Sequence, residues 1–374
     1  MSDRLTRLRQ AMAEAECPAL FVSQPESRRY LSGYGAKDLP PRDSAGYLLI
    51  TEDRQFVLTD PRTEEQAAAE APHFERRIAG PSMRMRDVLH DLVAELKLTR
   101  VGFEAGHLPY AFWESFNAAL EGVATLEPGP SIVDRIRMVK DPDELETMRE
   151  SIALNDAAFA HLARGLAAGQ TETELAWELE HFVRTHGGEG LAFDPITVGG
   201  PNTAVPHAVP SDRAIRADEL VLFDIGARVR GYCSDMTRTL CLESAPPKLR
   251  EIWQVVLDAQ LAAKDAVRPG MKGSEVDAVA RDVIERAGYG ESFIHGLGHG
   301  IGLEVHEPPW ITSARGDDVL LPGMVFSIEP GVYLSGLGGV RIEDLVLLTE
   351  RGADVLSTSP KKLQLAEVLL DLDG

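Results

Sequence analysis

Apolar and polar positions alternate along the chain in two different rhythms. Near the start, Leu5, Leu8 and Met12 recur at three- and four-residue intervals, the spacing of one helix face. Short apolar runs follow: ALFVSQ from Ala19, GYLLIT from Gly46 and QFVLTD from Gln55, each of strand length. EEQAAAEA and MRDVLHDLVAEL, after them, read as helices. Strands interleaved with helices predict a small α/β domain over residues 1–128. The stretch EPGPS, Glu127 to Ser131, holds two prolines and a glycine and sets the expected boundary at 128/129.

Beyond it, Asp141-Pro142-Asp143-Glu144 supplies a cap, an N1 proline and an N3 acid ahead of LETMRESIALNDAAFAHLARGL, so a long helix starts there. The pattern then repeats. GQTETELAWELEHFVRTHG from Gly169 aligns with GMKGSEVDAVARDVIERAG from Gly270 at a constant offset, pairing Gly169 with Gly270, Glu174 with Glu275 and Gly187 with Gly288. Each reads as a capped amphipathic helix ended by glycine, followed by a histidine-bearing loop and two strands that each carry an acid. In the first half the strands are VLFDIGA and YCSDMTRTL; in the second, MVFSIEPGVYL and GVRIEDLVLL.

HGLGHGIGLEVHEPP, residues 295–309, sets His295, His299 and His306 among alternating glycines. A helix would bring His295 and His299 to one face, but each glycine costs about 0.5–1 kcal/mol there. The segment is therefore expected to be extended and to pass close to other backbone, with His295 and His299 pointing the same way.

Composition narrows the partners. Of 374 residues, 44% are hydrophobic and 26% charged, as in an ordinary globular protein long enough for two domains. Lys and Arg number 38 against 59 Asp and Glu, a formal charge of -21 that repels nucleic-acid phosphates and anionic membranes. Cys17, Cys233 and Cys241 form no CxxC and imply no disulfide framework. With neither a signal-like segment nor an apolar run of about 18 residues, the expected compartment is the cytoplasm.

The acids carry the chemistry. A hairpin in VLFDIGARVRGYCSDMTRTL centred between Val229 and Arg230 would set Asp224 opposite Asp235, although Val-Arg is poor turn chemistry. A second hairpin, centred on Gly336, sets Glu329 opposite Glu343. Like charges facing each other in apolar strands are destabilising, and a buried unpaired carboxylate costs several kcal/mol or takes up a proton. Two divalent cations would balance four carboxylates, and one imidazole, His299, would complete a donor set suited to Mn²⁺, Co²⁺ or Zn²⁺. Such a pair of ions activates water and polarises a carbonyl, the machinery of hydrolysis. Separately, each acid reads equally well as a turn cap, a salt-bridged surface group or an edge-strand charge.

DIGARVRGYCSDMTRT, HGLGHGIGLEVHE, FSIEPGVY and GVRIEDLVLL resemble the metal-binding motifs of the pita-bread metallopeptidases (family M24), in the proline-specific branch of Xaa-Pro aminopeptidases and Xaa-Pro dipeptidases. The resemblance implies an α/β N-terminal domain, 1–128, followed by an α+β pita-bread catalytic domain, 129–374, with an internal pseudo-twofold repeat. It implies two divalent metal ions per subunit, Mn²⁺ foremost. Asp224 would bind one ion, Asp235 and Glu343 would bridge both, and His299 and Glu329 would bind the second. Glu329 would relay a proton, His207 and His306 would contact the substrate and its tetrahedral intermediate, and His295 would line the proline-side pocket. Tyr333 is a further candidate for that pocket, and Arg341 a candidate to orient Glu343 or Asp224.

Proline-containing peptides are the implied substrates, and a homodimer the family's usual state. RRYLSGYG, SAGYLLIT and LTDPRTEEQA look like an aminopeptidase-type first domain, with Thr63 where tyrosine is usual, so an Xaa-Pro aminopeptidase is favoured and an Xaa-Pro dipeptidase is the alternative. Lys37 or Arg42, in GYGAKDLPPRDS, would clamp a dipeptide's free carboxylate. A binding protein that has kept the fold without catalysis is the reading from a different class; metal-dependent cleavage of Ala-Pro-Ala separates the two.

Overall fold

The computed structural model describes residues 2–38 and 44–373. The chain divides into two units, Met1–Arg137 and Met138–Gly374, so the break falls at 137/138 where the proline-glycine cluster had placed it at 128/129. A short helix, Ile132–Met138, follows that cluster; its Ile132 and Val133 are buried, and Arg137 at its end donates to the Gln24 side chain.

In the first unit the apolar runs form β1 (Ala19–Val22), β2 (Tyr47–Thr51) and β3 (Gln55–Thr59), joined by β4 (Glu75–Ile78), β5 (Arg100–Phe103) and β6 (Thr125–Pro128). The six make one sheet in the order β4-β3-β2-β1-β5-β6, antiparallel at β1–β2 and β2–β3 and parallel elsewhere. β1 is buried along its whole length, which explains its unbroken apolar run. Helices Met85–Glu95 and Tyr110–Ala119 bring Leu89, Leu92, Val93 and Phe116 onto one face, where the Phe21, Tyr47 and Phe116 rings pack at 5.0–5.5 Å. Lys37 is exposed, and Arg42 lies outside the described residues.

The second unit shows the repeat in its backbone. Its long helices are α1 (Pro142–Gly165), α2 (Glu172–Thr185), α3 (Pro247–Ala266) and α4 (Gly273–Arg286). The expected capping box at Asp141 and Glu144 opens α1, and Thr171 with Glu174 opens α2. The matched glycines share left-handed backbone: Gly169 at φ 97° with Gly270 at 91°, and Gly187 at 98° with Gly288 at 86°. Conformation that only glycine adopts cheaply thus recurs at the offset seen in sequence.

After α2 come β7 (Gly190–Leu191), β8 (Ile196–Gly199), β9 (Leu220–Ile225), β10 (Ala227–Val229), β11 (Tyr232–Cys233) and β12 (Met236–Cys241). After α4 come β13 (Gly298–Gly300), β14 (Glu307–Ile311), β15 (Val325–Ile328), β16 (Gly331–Leu334), β17 (Gly338–Arg341), β18 (Asp344–Thr349) and β19 (Gly352–Val355). Each half has its own core. Phe159, Leu162, Leu175 and Leu179 pack on Val221 and Phe223, and Ile252, Val256, Val276 and Ile284 belong to a cluster with Phe326, Ile328 and Val346.

The two hairpins treat their predicted registers differently. In the second, Ile328 pairs with Asp344 and Gly331 with Arg341, the register centred on Gly336 that places Glu329 across from Glu343. In the first, Asp224 pairs with Thr237 and Val229 with Tyr232, so the turn lies at Arg230-Gly231 and Asp224 is not opposite Asp235. Arg230 and Gly231 have φ of 45° and 81°, the two left-handed residues of a tight hairpin turn, and Gly231 is what fixes the turn there. The shift keeps parity: Asp235 becomes a diagonal neighbour of Asp224 on the same face.

The hairpins meet along β12, where Glu343 donates its backbone N–H to the Thr237 carbonyl at 3.1 Å and the Thr239 hydroxyl donates to the Arg341 carbonyl at 2.9 Å.

Candidate metal centre

Asp235, His299 and Glu343 converge, each offering a donor atom within 4.8 Å of the others. All three are buried. Local sequence explains how each arrives. Asp235 precedes β12 and Glu343 precedes β18, so both acids sit where the two hairpins join. His299 is the middle residue of β13, which threads between β14 and β15. A Cβ at Gly298 would collide with the Ser327 carbonyl, and one at Gly300 with the carbonyls of Glu307 and Pro308. Glycines on both sides of His299 are therefore a packing requirement of a crowded sheet, as the extended reading anticipated.

Glu329 joins this ring through His299, and the charge of Asp224 acts on Asp235 and Glu343. Glu329 Oε1 lies 3.1 Å from His299 Nε2, and Asp235 Oδ2 lies 3.8 Å from the same nitrogen. Ser327 ties this side together, accepting from the His299 backbone N–H at 3.0 Å and donating to Glu329 Oε1 at 2.9 Å. The His299 ring turns its Nδ1 to the Gly300 carbonyl at 3.1 Å, which leaves Nε2 for the acids. Asp224 pairs with Arg341, and Thr237 donates to Glu343 Oε2 at 2.8 Å. Among the described residues, Asp235 Oδ1 and Glu343 Oε1 are buried without a hydrogen-bond partner.

The electrostatics show how strongly these acids act on one another. Burial pushes the Asp235 carboxyl well above the usual range, and the charges of Glu343, Asp224 and Glu329 push further. Glu343 is raised in the same way, by burial and then by Glu329 and Asp224. Burial also raises Asp224, against the pull of Arg341. Glu329 is the exception: burial would raise it, but the His299 hydrogen bond and charge bring it down to about 2. Burial works against charge on His299 as well, and Glu329 overrides it, so the imidazole is raised. Glu329 thus favours the cationic form of the imidazole.

Two orphaned carboxylate oxygens beside an imidazole, in a donor set without thiolate, are what oxygen-preferring divalent ions require. The residues fit such a group.

Around the ring stand the other residues singled out from sequence. Arg341 orients Asp224, not Glu343; it also donates to the Tyr333 hydroxyl at 2.6 Å and to Thr237 Oγ1 at 3.1 Å. The Tyr333 hydroxyl meets His295 Nε2 at 2.9 Å, while His295 Nδ1 faces the Gly296 carbonyl at 2.7 Å. These contacts assign the His295 proton to Nδ1, with Nε2 accepting from the tyrosine. Burial lowers the His295 pKa and raises that of Tyr333. His306 packs its ring edge-on against His299 at 4.2 Å; burial and then the His299 charge take it down to about 4. His207 is exposed, yet near enough for its charge to act on both His295 and His306.

Sequence reasoning did not single out Thr237 or Ser327. Thr237 was accessible to it, because it stands two residues after Asp235 and shares its strand face.

Comparison with known proteins places this geometry. Residues 146–350 match the family described as metallopeptidase family M24, and residues 4–139 the creatinase/prolidase N-terminal domain. The chain is 35% identical over 363 residues to an Xaa-Pro dipeptidase of Pyrococcus furiosus, covering 97% of this chain and 100% of that one. Among solved structures, an Xaa-Pro dipeptidase from Bacillus anthracis is similar with a TM-score of 0.91 and 37% identity, over 97% of this chain and 99% of that one. An X-Pro aminopeptidase from Thermotoga maritima is similar at 0.84 and 34%, over 95% and 99%.

Proposed function

Because the chain belongs to metallopeptidase family M24, with a pita-bread catalytic unit behind a creatinase/prolidase N-terminal domain, we propose that it is a metal-dependent Xaa-Pro dipeptidase. The observation that carries the finer reading is full-length likeness to proteins named as Xaa-Pro dipeptidases in both sequence and structure. That likeness moves the balance from the aminopeptidase favoured on sequence motifs to the dipeptidase held as its alternative.

Asp224, Asp235, His299, Glu329 and Glu343 would hold two divalent cations, Mn²⁺ first among Mn²⁺, Co²⁺ and Zn²⁺. When bound, these ions lower the pKa of a water and polarise the substrate carbonyl. The chain's residues do the rest. Glu329, held by Ser327, takes the water's proton and passes it toward the departing proline nitrogen. His306, neutral above about pH 4, offers a hydrogen bond without a competing charge. His207, exposed on its loop, would contact the substrate carbonyl. Arg341, Tyr333 and His295 form a hydrogen-bonded wall for the proline ring, and Arg341 also fixes Asp224.

The reading expects a homodimer in the cytoplasm that acts on peptides and not on nucleic acid. No helix among the described residues is long and apolar enough to cross a membrane. The test is a comparison of Ala-Pro with Ala-Pro-Ala on one Mn²⁺-loaded preparation. Rapid dipeptide hydrolysis with the tripeptide spared is expected. Equal cleavage of both would return the aminopeptidase, and cleavage of neither would leave the binding module.

A further inference from the structure

His207 rides on the loop between β8 and β9; the Thr203 hydroxyl anchors the start of that loop, accepting from the Gly339 backbone N–H at 2.8 Å, but the stretch around the histidine is open. Val205 and Val209 are 53% and 82% exposed. The backbone bonds around them are Val205 N–H to the Asn202 carbonyl and Ala208 N–H to the Val205 carbonyl, both 3.1 Å, while Arg341 approaches the Pro206 carbonyl only at 3.4 Å. A histidine that must meet a substrate carbonyl within a few tenths of an ångström needs firmer support.

That support comes from Glu172, the first residue of α2, which is fully buried. Its Oε1 accepts from the Gly199 backbone N–H and from Asn202 Nδ2, each at 2.9 Å. Its Oε2 accepts from Asn202 Nδ2 at 3.1 Å, the Ser211 backbone N–H at 3.0 Å and the Ser211 hydroxyl at 2.7 Å. One carboxylate thus closes the neck of the loop, gripping both the strand that enters it and the residue that leaves it. A buried acid costs several kcal/mol unless its lone pairs are filled, and here they are filled by the two feet of the His207 loop.

The other half of the repeat uses the same device. Asp277 on α4, also fully buried, accepts from the Leu297 backbone N–H at 3.0 Å and pairs with Arg281, which donates to the Phe293 and His295 carbonyls at 3.1 and 2.9 Å. In both halves, a buried carboxylate on the repeat helix fastens the histidine-bearing loop that follows.

We propose that Glu172 is a positioning residue that holds His207 against the substrate carbonyl; the inference rests on the dipeptidase reading and on His207 touching substrate. The test is a double-mutant cycle on the full-length, Mn²⁺-loaded protein: native, Glu172→Gln, His207→Ala and the double variant. The measurements are kcat and KM on Ala-Pro, Mn²⁺ affinity by chelator competition, and thermal unfolding. Glu172→Gln should lower kcat by about 10–100-fold, the range typical of groups that orient a functional side chain, with Mn²⁺ affinity unchanged. In the His207→Ala background the same substitution should cost less than about threefold, because the group it positions is gone. Should Glu172→Gln fail to fold, Ser211→Ala removes a single bond from Oε2 and should show a smaller loss with the same dependence on His207. Equal losses in both backgrounds, a silent Glu172→Gln, or a loss that follows Mn²⁺ affinity would overturn the positioning role. Absence of Ala-Pro turnover in the native protein would instead defeat the reading beneath it.

Discussion

Replacing Asp235 with asparagine should stabilise the metal-free protein while removing its response to metal. Donor atoms of Asp235 and Glu343 lie within 4.8 Å of each other. Two ionised carboxylates at that separation repel by about 3.5 kcal/mol at an effective dielectric of about 20. Burial, reinforced by Glu343, already drives the Asp235 carboxyl upward, so the metal-free fold bears either the repulsion or the cost of taking up a proton. Asparagine has the same shape and removes both. Little is lost in exchange, because among the described residues Asp235 Oδ1 has no hydrogen-bond partner, and Oδ2 is 3.8 Å from His299 Nε2. The net gain is about 3 kcal/mol, or roughly 6–12 °C in melting temperature for a unit of this size. Calorimetry on chelator-dialysed native protein and variant, each with and without excess Mn²⁺, reads the effect directly. Native protein should gain about 2.7 kcal/mol per site at a hundredfold excess over Kd, and the variant close to nothing. A metal-free variant that melts below native protein would mean that Asp235 is a structural hydrogen-bonding acid, and the electrostatic reasoning would fail.

Other perturbations probe the frame around the centre. Arg238, buried beside Asp344, also donates to the Ser359 carbonyl at 2.8 Å; Arg238→Met should cost about 3–5 kcal/mol in urea unfolding, whereas Arg54→Met at the exposed Glu75 pair should barely register. Equal effects would contradict the burial argument. Glu104 tests pH linkage in the first unit, since burial raises its carboxyl to about 7 even though it accepts from the Gln24 and Ser23 backbone N–H groups. With the folded pKa above the unfolded one, its stabilising share is full below about pH 4.5 and is lost as pH rises through 7, about 3 kcal/mol in all. Glu104→Gln should therefore gain on native protein between pH 5 and 8, and parallel pH profiles would refute the shift. Tyr333→Phe breaks the link from Arg341 to His295 and should raise KM for Ala-Pro about tenfold with Mn²⁺ affinity intact; an unchanged KM would remove Tyr333 from the proline wall.

Much of the second unit was legible because its punctuation is glycine. Gly187 and Gly288 end matched helices in left-handed backbone, and Gly336 at φ 76° centres a hairpin whose register puts Glu329 across from Glu343. The same signal was underweighted at Gly231, where centring the turn one residue early misplaced Asp224 opposite Asp235. Period-two alternation protected the conclusion, since a diagonal neighbour shares the face of a direct one. What sequence could not supply was the choice of partner for Arg341. Strand parity sets Arg341 on the face of Glu343, with Asp224 as the alternative, and only the meeting of two hairpins more than a hundred residues apart selects Asp224. Glu172 was hidden for a related reason. Its place at a helix start reads as an ordinary acid near the dipole, and its real partners, Gly199, Asn202 and Ser211, lie 27, 30 and 39 residues later.

Equilibrium dialysis of chelator-stripped protein against Mn²⁺, with bound metal counted by elemental analysis, tests the centre without reference to any substrate. Two ions per native chain are expected, falling below one in Asp235→Ala and in Glu343→Ala while both variants stay folded. Native protein that retains no Mn²⁺, or variants that retain as much as native, would contradict the claim that these facing acids exist to hold metal.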